Sequence, residues 1–468
     1  MTQQRTYIRI AMGLALCAAA AAQDETPKFT VLAQTNSYPH PYAGLVQGLN
    51  GQLYSTTGGA SGNPGQVFEI TRGGHLTTLH SLSGMSEAGL LLATDGNFYG
   101  TTFKGGGEQA GRIFRITPSG TVADLHRFCT EADCADGEYP SDPLIQGTDG
   151  NLYGTTSRGG PGCTEYSYGC GTFFRITLAG ERTTLYTFCL QDSCLDGEDP
   201  EGPIVQASDG NFYGTTNAGG AGRSGTIYRL TPSGDFTLLY TFCTQSGCPD
   251  GNGPWGLALG PDGALYGTTE SYPTVFKIAL GGTFQVLATL CPGPDCGSAY
   301  APPVPATDGN LYGTIAGVGK NHQGIIYRIT TSGGLTRLYS FCSLPDCEDG
   351  GDPMGPILQA TDGNLYGTTW GVEGSNPGTV YRLVLGLAPF VTPVPAFGNA
   401  GQQVSILGNN LTGATAVFFN GSPAASFTVN ATGSAITATV PDGATTGPIH
   451  VTLGNGTTLR SNVPFKPE

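Results

Sequence analysis

Apolar residues alternate with polar ones in short bursts, broken by Asp-Gly, Ser-Gly and Pro-Ser-Gly turns, and helical periodicity is absent after the first two dozen residues. Around the middle of the first half the bursts fall at Pro143–Gly147, Asn151–Thr156, Thr172–Thr177 and Arg182–Phe188. They are rich in Thr, Tyr, Phe, Ile and Leu, which suit a half-buried pleated surface, so each predicts a strand; they are called A, B, C and D. The same four-burst unit occurs seven times. Its marker is the phrase Asn50-Gly-Gln-Leu-Tyr-Ser-Thr-Thr57, then Asp95-Gly-Asn-Phe-Tyr-Gly-Thr-Thr102, and again from Asp149, Asp209, Asp262, Asp308 and Asp362. Spacing between copies runs from 45 residues (Asn50 to Asp95) to 60 (Asp149 to Asp209), a constant unit with variable loops.

A unit of this size cannot bury its own apolar face, so copies must stack. Four strands per unit fit a propeller blade. The seventh copy stops after its C strand, Thr379–Leu385, while Lys28–Ala33 ahead of the first A strand matches the D-strand segment Leu76–Leu79. Pairing that N-terminal strand with the last unit would remove the open edge that a linear array leaves. The expected fold is therefore all-β: a seven-bladed β-propeller over residues 28–385, closed by an N-terminal strand. A linker at 386–395 and a small immunoglobulin-like sandwich at 396–468 follow it.

Composition agrees with a turn-dense β protein, with 75 glycines in 468 residues and only 12% charged residues. The formal charge of −15 disfavours nucleic acid. Arg5 and Arg9 precede an apolar run from Ile10 to Ala22 that ends in alanines, the layout of a secretory signal over residues 1–22. Leu16 before Cys17 argues against a lipoprotein signal, and no later segment is long enough to span a bilayer. Export to the cell surface, medium or periplasm as a monomer is the expectation.

Twelve cysteines remain after Cys17. Ten form pairs with four residues between them, each opening the loop after a D strand: Cys129 and Cys134, Cys189 and Cys194, Cys243 and Cys248, Cys291 and Cys296, Cys342 and Cys347. Cys163 and Cys170 form the sixth pair, in a B–C loop. Pairs spread over separate blades without adjacent histidines cannot converge on one metal ion, and in an exported chain they read as disulfide loops.

In such a blade the A–B and C–D turns share one face, and the B–C and D–A loops the other. The first set is uniform, whereas the second varies in length and holds every cysteine pair, so binding is expected there. That face carries Asp136, Asp196, Asp250 and Asp349, the tryptophans Trp255 and Trp370, and Tyr139, Tyr166, Tyr168, Tyr272 and Tyr300. Three readings of these residues stay open: solvated turn acids, a calcium site of hard oxygen ligands without a full calcium-loop pattern, and a carbohydrate surface on which rings stack against sugars. Of the histidines, His40 and His322 lie on variable loops and are site candidates, while His80 and His126 occupy the D-strand position held elsewhere by Tyr186, Tyr240 and Tyr339. No Ser nucleophile elbow, His-Glu-x-x-His or phosphate loop occurs.

The phrase, with the Gly-Gly that follows it in most copies and the segment Gly225–Gly234, resembles the GloVer tandem-repeat family of exported bacterial proteins, whose members differ in how they attach to the cell. The likeness covers about residues 44–385. The first copy departs at Asn50 and Ser55, and the fifth at Ala264. It implies export and the repeat but no reaction. After the Pro-spaced junction at Pro389, Pro393 and Pro395, the segments Gln403–Gly408, Ala416–Gly421, Ala435–Pro441 and Ile449–Leu453 read as strands of a small sandwich. With Val417–Gly421 and Val440–Gly443 they resemble an IPT/TIG domain, which implies a spacer or adhesion module. The combined expectation is a binding or scaffolding protein that recognises a polysaccharide or a cell-surface protein through the B–C/D–A face. The alternative is a glycoside hydrolase or polysaccharide lyase using paired loop carboxylates; calcium is compatible with either.

Overall fold

The computed structural model describes residues 27–35, 40–59, 64–105, 109–162, 170–291, 297–372 and 377–468. The signal-sequence expectation, Tyr166, Tyr168, Cys163 and Cys296 lie outside them. The protein is all-β and propeller-like. Seven four-stranded antiparallel sheets follow one another, one for each copy of the phrase, and are numbered here by copy. In sheet 3 the strands are Ile145–Gln146, Leu152–Thr156, Thr172–Ile176 and Arg182–Thr187, within two residues of the sequence expectation at every end of B, C and D. The A strands are the difference: they are two residues long in every sheet except the fifth, where A spans Asn252–Leu259. Prolines just ahead of them, such as Pro143, Pro203 and Pro356, supply no N–H to a ladder, so pairing starts late.

Sheet 7 runs Lys28–Gln34, Thr379–Val384, Leu365–Thr369, Leu358–Gln359, so the N-terminal strand is its outer strand. Lys28 pairs with Val384 and Gln34 with Thr379. Apolar clusters straddle neighbouring sheets. Tyr153 and Phe173 of sheet 3 pack with Phe212, Tyr228 and Leu230 of sheet 4. Leu53, Phe68 and Ile70 of sheet 1 pack with Ala360, Tyr366 and Val380 of sheet 7. Between the same two sheets, Gln47 donates to Thr361 Oγ1 (2.9 Å) and accepts from its N–H (3.0 Å).

The repeated phrase is a lock on the A–B turn. In the second copy Asp95 accepts the N–H of Asn97 (3.0 Å) and the hydroxyl of Tyr99 (2.8 Å). Equivalent Tyr-to-Asp bonds of 2.7–2.8 Å recur at Asp149, Asp209, Asp262, Asp308 and Asp362. Six of the seven copies carry glycine two residues before the end of the phrase, where a ring from the C strand lies close: a Cβ at Gly100 would stand 2.7 Å from Phe114 Cζ, whereas the first copy accommodates Ser55 opposite Phe68. The last threonine ties B to C, as Thr156 and Thr172 do at 2.8 Å.

The C-terminal domain is a sandwich of a four-stranded and a five-stranded sheet around Val404, Ile406, Phe419, Ile436, Ile449, Val451 and Phe465. Thr392–Val394, expected in the linker, is instead the edge strand of the four-stranded sheet; an edge tolerates Pro393 where an interior strand would not. The longest strand, Thr458–Pro467, was not expected, since its Ser-Asn-Val-Pro stretch breaks the alternation. The domain sits on the A–B turn of sheet 1, where Asn430 Nδ2 (2.9 Å) and Ser434 Oγ (2.7 Å) donate to the carbonyl of Leu49. Leu407 and Ala435 extend that contact into the cluster holding Tyr54 and Phe98.

Candidate functional site

The loops ahead of six A strands, and the start of the long A strand of sheet 5, line a single cavity of about 440 Å3. It opens on the B–C/D–A side, opposite the turn that carries the C-terminal domain, and lies in the size range of small-molecule sites. The first threonine of the phrase holds its walls. Thr56 Oγ1 donates to Ala88 O (2.7 Å), Thr101 to Asp142 O (3.2 Å), Thr268 to Ala301 O (3.0 Å) and Thr314 to Gly355 O (3.3 Å), each reaching the loop of the following sheet. Thr368 of sheet 7 reaches Ala43 O of sheet 1 in the same way, at 2.9 Å.

One position in each loop differs from copy to copy and contributes to the cavity wall. In five of the seven loops it directly follows a proline. Its occupants are aromatic in three loops (Tyr42, Trp255, Tyr300), carboxylic in two (Glu87, Glu201), and Ser141 and Met354 in the others. The next position along the chain is small nearly everywhere, as at Ala43, Ala88, Gly202 and Ala301, but is Asp142 in the third loop. Asp142 is buried; its Oδ1 accepts the N–H of Gly202 at 2.8 Å and so joins loops three and four. Phe103 completes the aromatic lining.

The three cavity carboxyls are all raised from their ordinary values. Burial raises Asp142 to about 7, helped by the charges of Asp199 and Glu87 and offset by the Gly202 and Ser141 hydrogen bonds. Burial raises Glu201 too, and the fields of Asp199, Asp142, Glu270 and Glu87 push it the same way. Glu87 is raised by burial, with Lys104 pulling it back. These acids therefore lie within each other's electrostatic reach around the cavity.

The sequence-derived candidates divide. Trp255 and Tyr300 line the cavity and meet edge-to-face at 5.6 Å. Trp370 is not in the wall; it packs behind Tyr42, with ring centroids 6.3 Å apart, and against His40 at 4.8 Å. Tyr139 similarly backs Phe103 at 5.0 Å, under the Arg158 guanidinium. Tyr272 is 57% exposed on a separate loop, and His322 is exposed at the end of a single turn, Lys320–His322.

Asp136, Asp196, Asp250 and Asp349 are a correction. All four are buried in their own cysteine loops rather than presented to a ligand. Asp349 accepts the hydroxyl of Tyr339 (2.6 Å) and the N–H groups of Ser343 (2.9 Å) and Leu344 (3.2 Å). Tyr186 and Tyr240 serve Asp196 and Asp250 likewise, and His126 takes the tyrosine's place beside Asp136 at 3.2 Å. Their chemistry is to saturate loop backbone N–H groups that would otherwise be buried unpaired. Disulfides join Cys129 to Cys134, Cys189 to Cys194, Cys243 to Cys248 and Cys342 to Cys347. Cys170 and Cys291 are also oxidised.

Among the described residues, the groups compact enough for a metal are Cys129, Cys134 and Glu138, and Cys189, Cys194 and Glu198. Their cysteines are spent in disulfides, so neither is an oxygen cage for calcium. Among the described residues no helix is long and apolar enough to cross a membrane.

Glu87, Asp142, Glu201, Tyr42 and Phe103 were not singled out by sequence. The available signal was variation: one position that takes five side-chain types over the seven copies (Tyr, Glu, Ser, Trp and Met) while its surroundings repeat.

Similar folds occur in a catalytically inactive virginiamycin B lyase from Staphylococcus aureus with quinupristin (TM-score 0.54, 20% identity, 77% of this chain and 99% of that one) and in a streptogramin B lyase (0.52, 16%, 77% and 98%). The extracellular domain of a hybrid two-component system from B. thetaiotaomicron is similar over 93% of this chain and 60% of that one (0.50, 9%). At these identities the likeness is one of fold. No curated protein matches the sequence. The Gloeobacter/Verrucomicrobia repeat matches residues 83–273 and 270–410, and the IPT/TIG domain matches residues 389–466. The chain belongs to the Gloeobacter/Verrucomicrobia repeat family and carries an IPT/TIG domain at its C-terminal end.

Proposed function

We propose that the chain is an exported carbohydrate-binding protein. In this reading the seven sheets close into a propeller ring, and the cavity where their loops meet takes a sugar unit of a polysaccharide. The observation that carries it is the loop position at which Tyr42, Glu87, Ser141, Glu201, Trp255, Tyr300 and Met354 stand in otherwise similar loops. Packing and turn formation would ask for the same residue seven times, whereas an asymmetric ligand asks for different ones. Aromatic faces beside hydrogen-bonding carboxyls suit a sugar's apolar faces and hydroxyls. The C-terminal domain, docked on the opposite side, leaves the mouth open and acts as a spacer.

A glycoside hydrolase is the second reading, favoured by a single observation: Asp142, raised to about 7, lies in the wall with Glu201, and a carboxyl that holds its proton near neutrality can act as a general acid. A lyase acting on uronates is less well supported, because among the described residues no lysine, arginine or histidine lines the cavity to neutralise the substrate carboxylate.

Native electrophoresis through gels containing single polysaccharides separates the readings. Retardation that Trp255→Ala removes supports binding in the cavity, and clearing of the polymer supports the hydrolase. Retardation that Trp255→Ala leaves intact puts binding elsewhere, and no retardation across a broad panel sinks the carbohydrate reading.

A further inference from the structure

The cavity is two-sided. Followed around the seven loops, the acids Glu87, Asp142 and Glu201 come from three consecutive sheets, 2, 3 and 4. Trp255, Tyr300, Met354 and Tyr42 come from the remaining four, 5, 6, 7 and 1. An acidic arc thus faces an aromatic and thioether arc.

One buried and two half-buried carboxyls in one wall gain more from a cation than from an uncharged ligand, and once ionised they repel an anionic one. A positive group suits both arcs: an ammonium donates charge-assisted hydrogen bonds to carboxylates, and indole and phenol faces attract the same cation. A sugar ring bearing the amine would lay its C–H face on Trp255 while the nitrogen turns toward Glu87 and Glu201.

Resting on the carbohydrate reading of this cavity, we propose that its ligand is an amino sugar with a free, protonated amine, seated where the acidic arc meets the aromatic arc. Burial of the acids is consistent with this, because a bound cation offsets the cost of ionising them. Glu87 and Glu201 contact the amine, while Asp142, committed to the Gly202 N–H, positions loop four.

The test is calorimetric titration of the full mature chain with glucosamine tetramer and, separately, with its N-acetylated counterpart, at a pH where the free amine is protonated. The two share a backbone and differ at the nitrogen. Expected is affinity about tenfold or more tighter for the free amine, with Glu87→Gln and Glu201→Gln each losing most of that preference. Equal or tighter binding of the N-acetyl form to the wild-type chain overturns the amine and leaves the carbohydrate reading standing. Absence of binding by both, and by a panel of neutral polysaccharides, overturns the two together. The wild-type comparison is decisive even where a variant folds poorly.

Discussion

Phe29, in the N-terminal strand, lies flat against Tyr339 in the D strand of sheet 6, with ring centroids 3.9 Å apart and planes 4° from parallel. Tyr186 stacks on Phe236 (4.5 Å) and Tyr240 on Phe284 (3.8 Å) in the same way. In each case a D-strand tyrosine of one sheet meets a phenylalanine at the head of the next D strand. Phe29 therefore does for sheet 7 what Phe236 and Phe284 do for sheets 4 and 5, from the other end of the chain. Phe29→Ala is expected to cost about 2 kcal/mol, comparable to Phe236→Ala, since both remove a half-buried ring with a stacked partner. Urea unfolding of the two variants checks this. A neutral Phe29→Ala beside a costly Phe236→Ala would mean that the N-terminal strand contributes nothing to the seventh sheet.

The first copy of the phrase departs in a correlated way. Elsewhere an Asp stands near an Arg or Lys of the C strand, as in the Asp262–Lys277 pair at 2.6 Å. In sheet 1 the pair is Asn50 and Glu69, with Asn50 Nδ2 donating to Glu69 Oε1 (2.9 Å) and to Tyr54 Oη (2.7 Å). This is also the turn on which the C-terminal domain sits, where a desolvated Asp would be costly. Asn50→Asp is expected to destabilise the protein by about 1–2 kcal/mol through repulsion with Glu69, and Asn50→Asp with Glu69→Arg to recover most of it. A double-mutant cycle measures the coupling; additive effects would contradict the pairing.

Asp349→Ala should act on stability alone. It strands the Tyr339 hydroxyl and two backbone N–H groups, a loss of about 3 kcal/mol or more. Polysaccharide retardation of the folded fraction should match the wild type, whereas Glu201→Gln should change binding with little loss of melting temperature. A specific loss of binding in Asp349→Ala would return these acids to the ligand site.

The contrast between Asp349 and Glu201 shows what the sequence disclosed and what it withheld. Strands B, C and D and the extra N-terminal strand were legible because the phrase encodes them locally, through an Asp-Gly turn, a tyrosine four residues on and a closing pair of threonines. The loop acids were misread because their composition is that of any solvated turn. Their burial depends on a D-strand tyrosine ten residues upstream and on two backbone N–H groups, a tertiary arrangement that local pattern does not reveal. The cavity residues escaped for the opposite reason. Repeats draw attention to what recurs, and Glu87, Glu201 and Met354 stand at the position where recurrence stops.

Asp142 makes stability depend on pH. Its carboxyl holds a proton up to about 7 in the folded protein, whereas an exposed Asp releases it near 3.8. Between those values the folded state binds more protons than the unfolded one, so this group's contribution falls as pH rises from about 4 to about 7 and is level above that. Asp142→Asn should flatten the corresponding part of the melting curve against pH and raise the melting temperature at pH 8, with an upper bound of about 4 kcal/mol. An unchanged pH profile would mean that Asp142 ionises freely in the fold.

The chain has two tryptophans, and the structure gives them different surroundings. Trp255 forms part of the cavity wall beside Tyr300, so a ligand that enters displaces water from its indole. Trp370 is separated from the cavity by Tyr42 and packs on His40. Ligand binding is therefore expected to shift and quench emission from Trp255 while leaving Trp370 nearly unaffected. Trp370→Phe should keep the whole titration signal at unchanged affinity, and Trp255→Phe should remove the signal while calorimetry still detects binding, because a phenyl ring preserves part of the stacking face. Trp255→Ala removes the face altogether and should weaken binding by about tenfold or more. If the signal instead survives in Trp255→Phe and vanishes in Trp370→Phe, the ligand sits on the outer loops around His40 and not in the cavity where the seven loops meet.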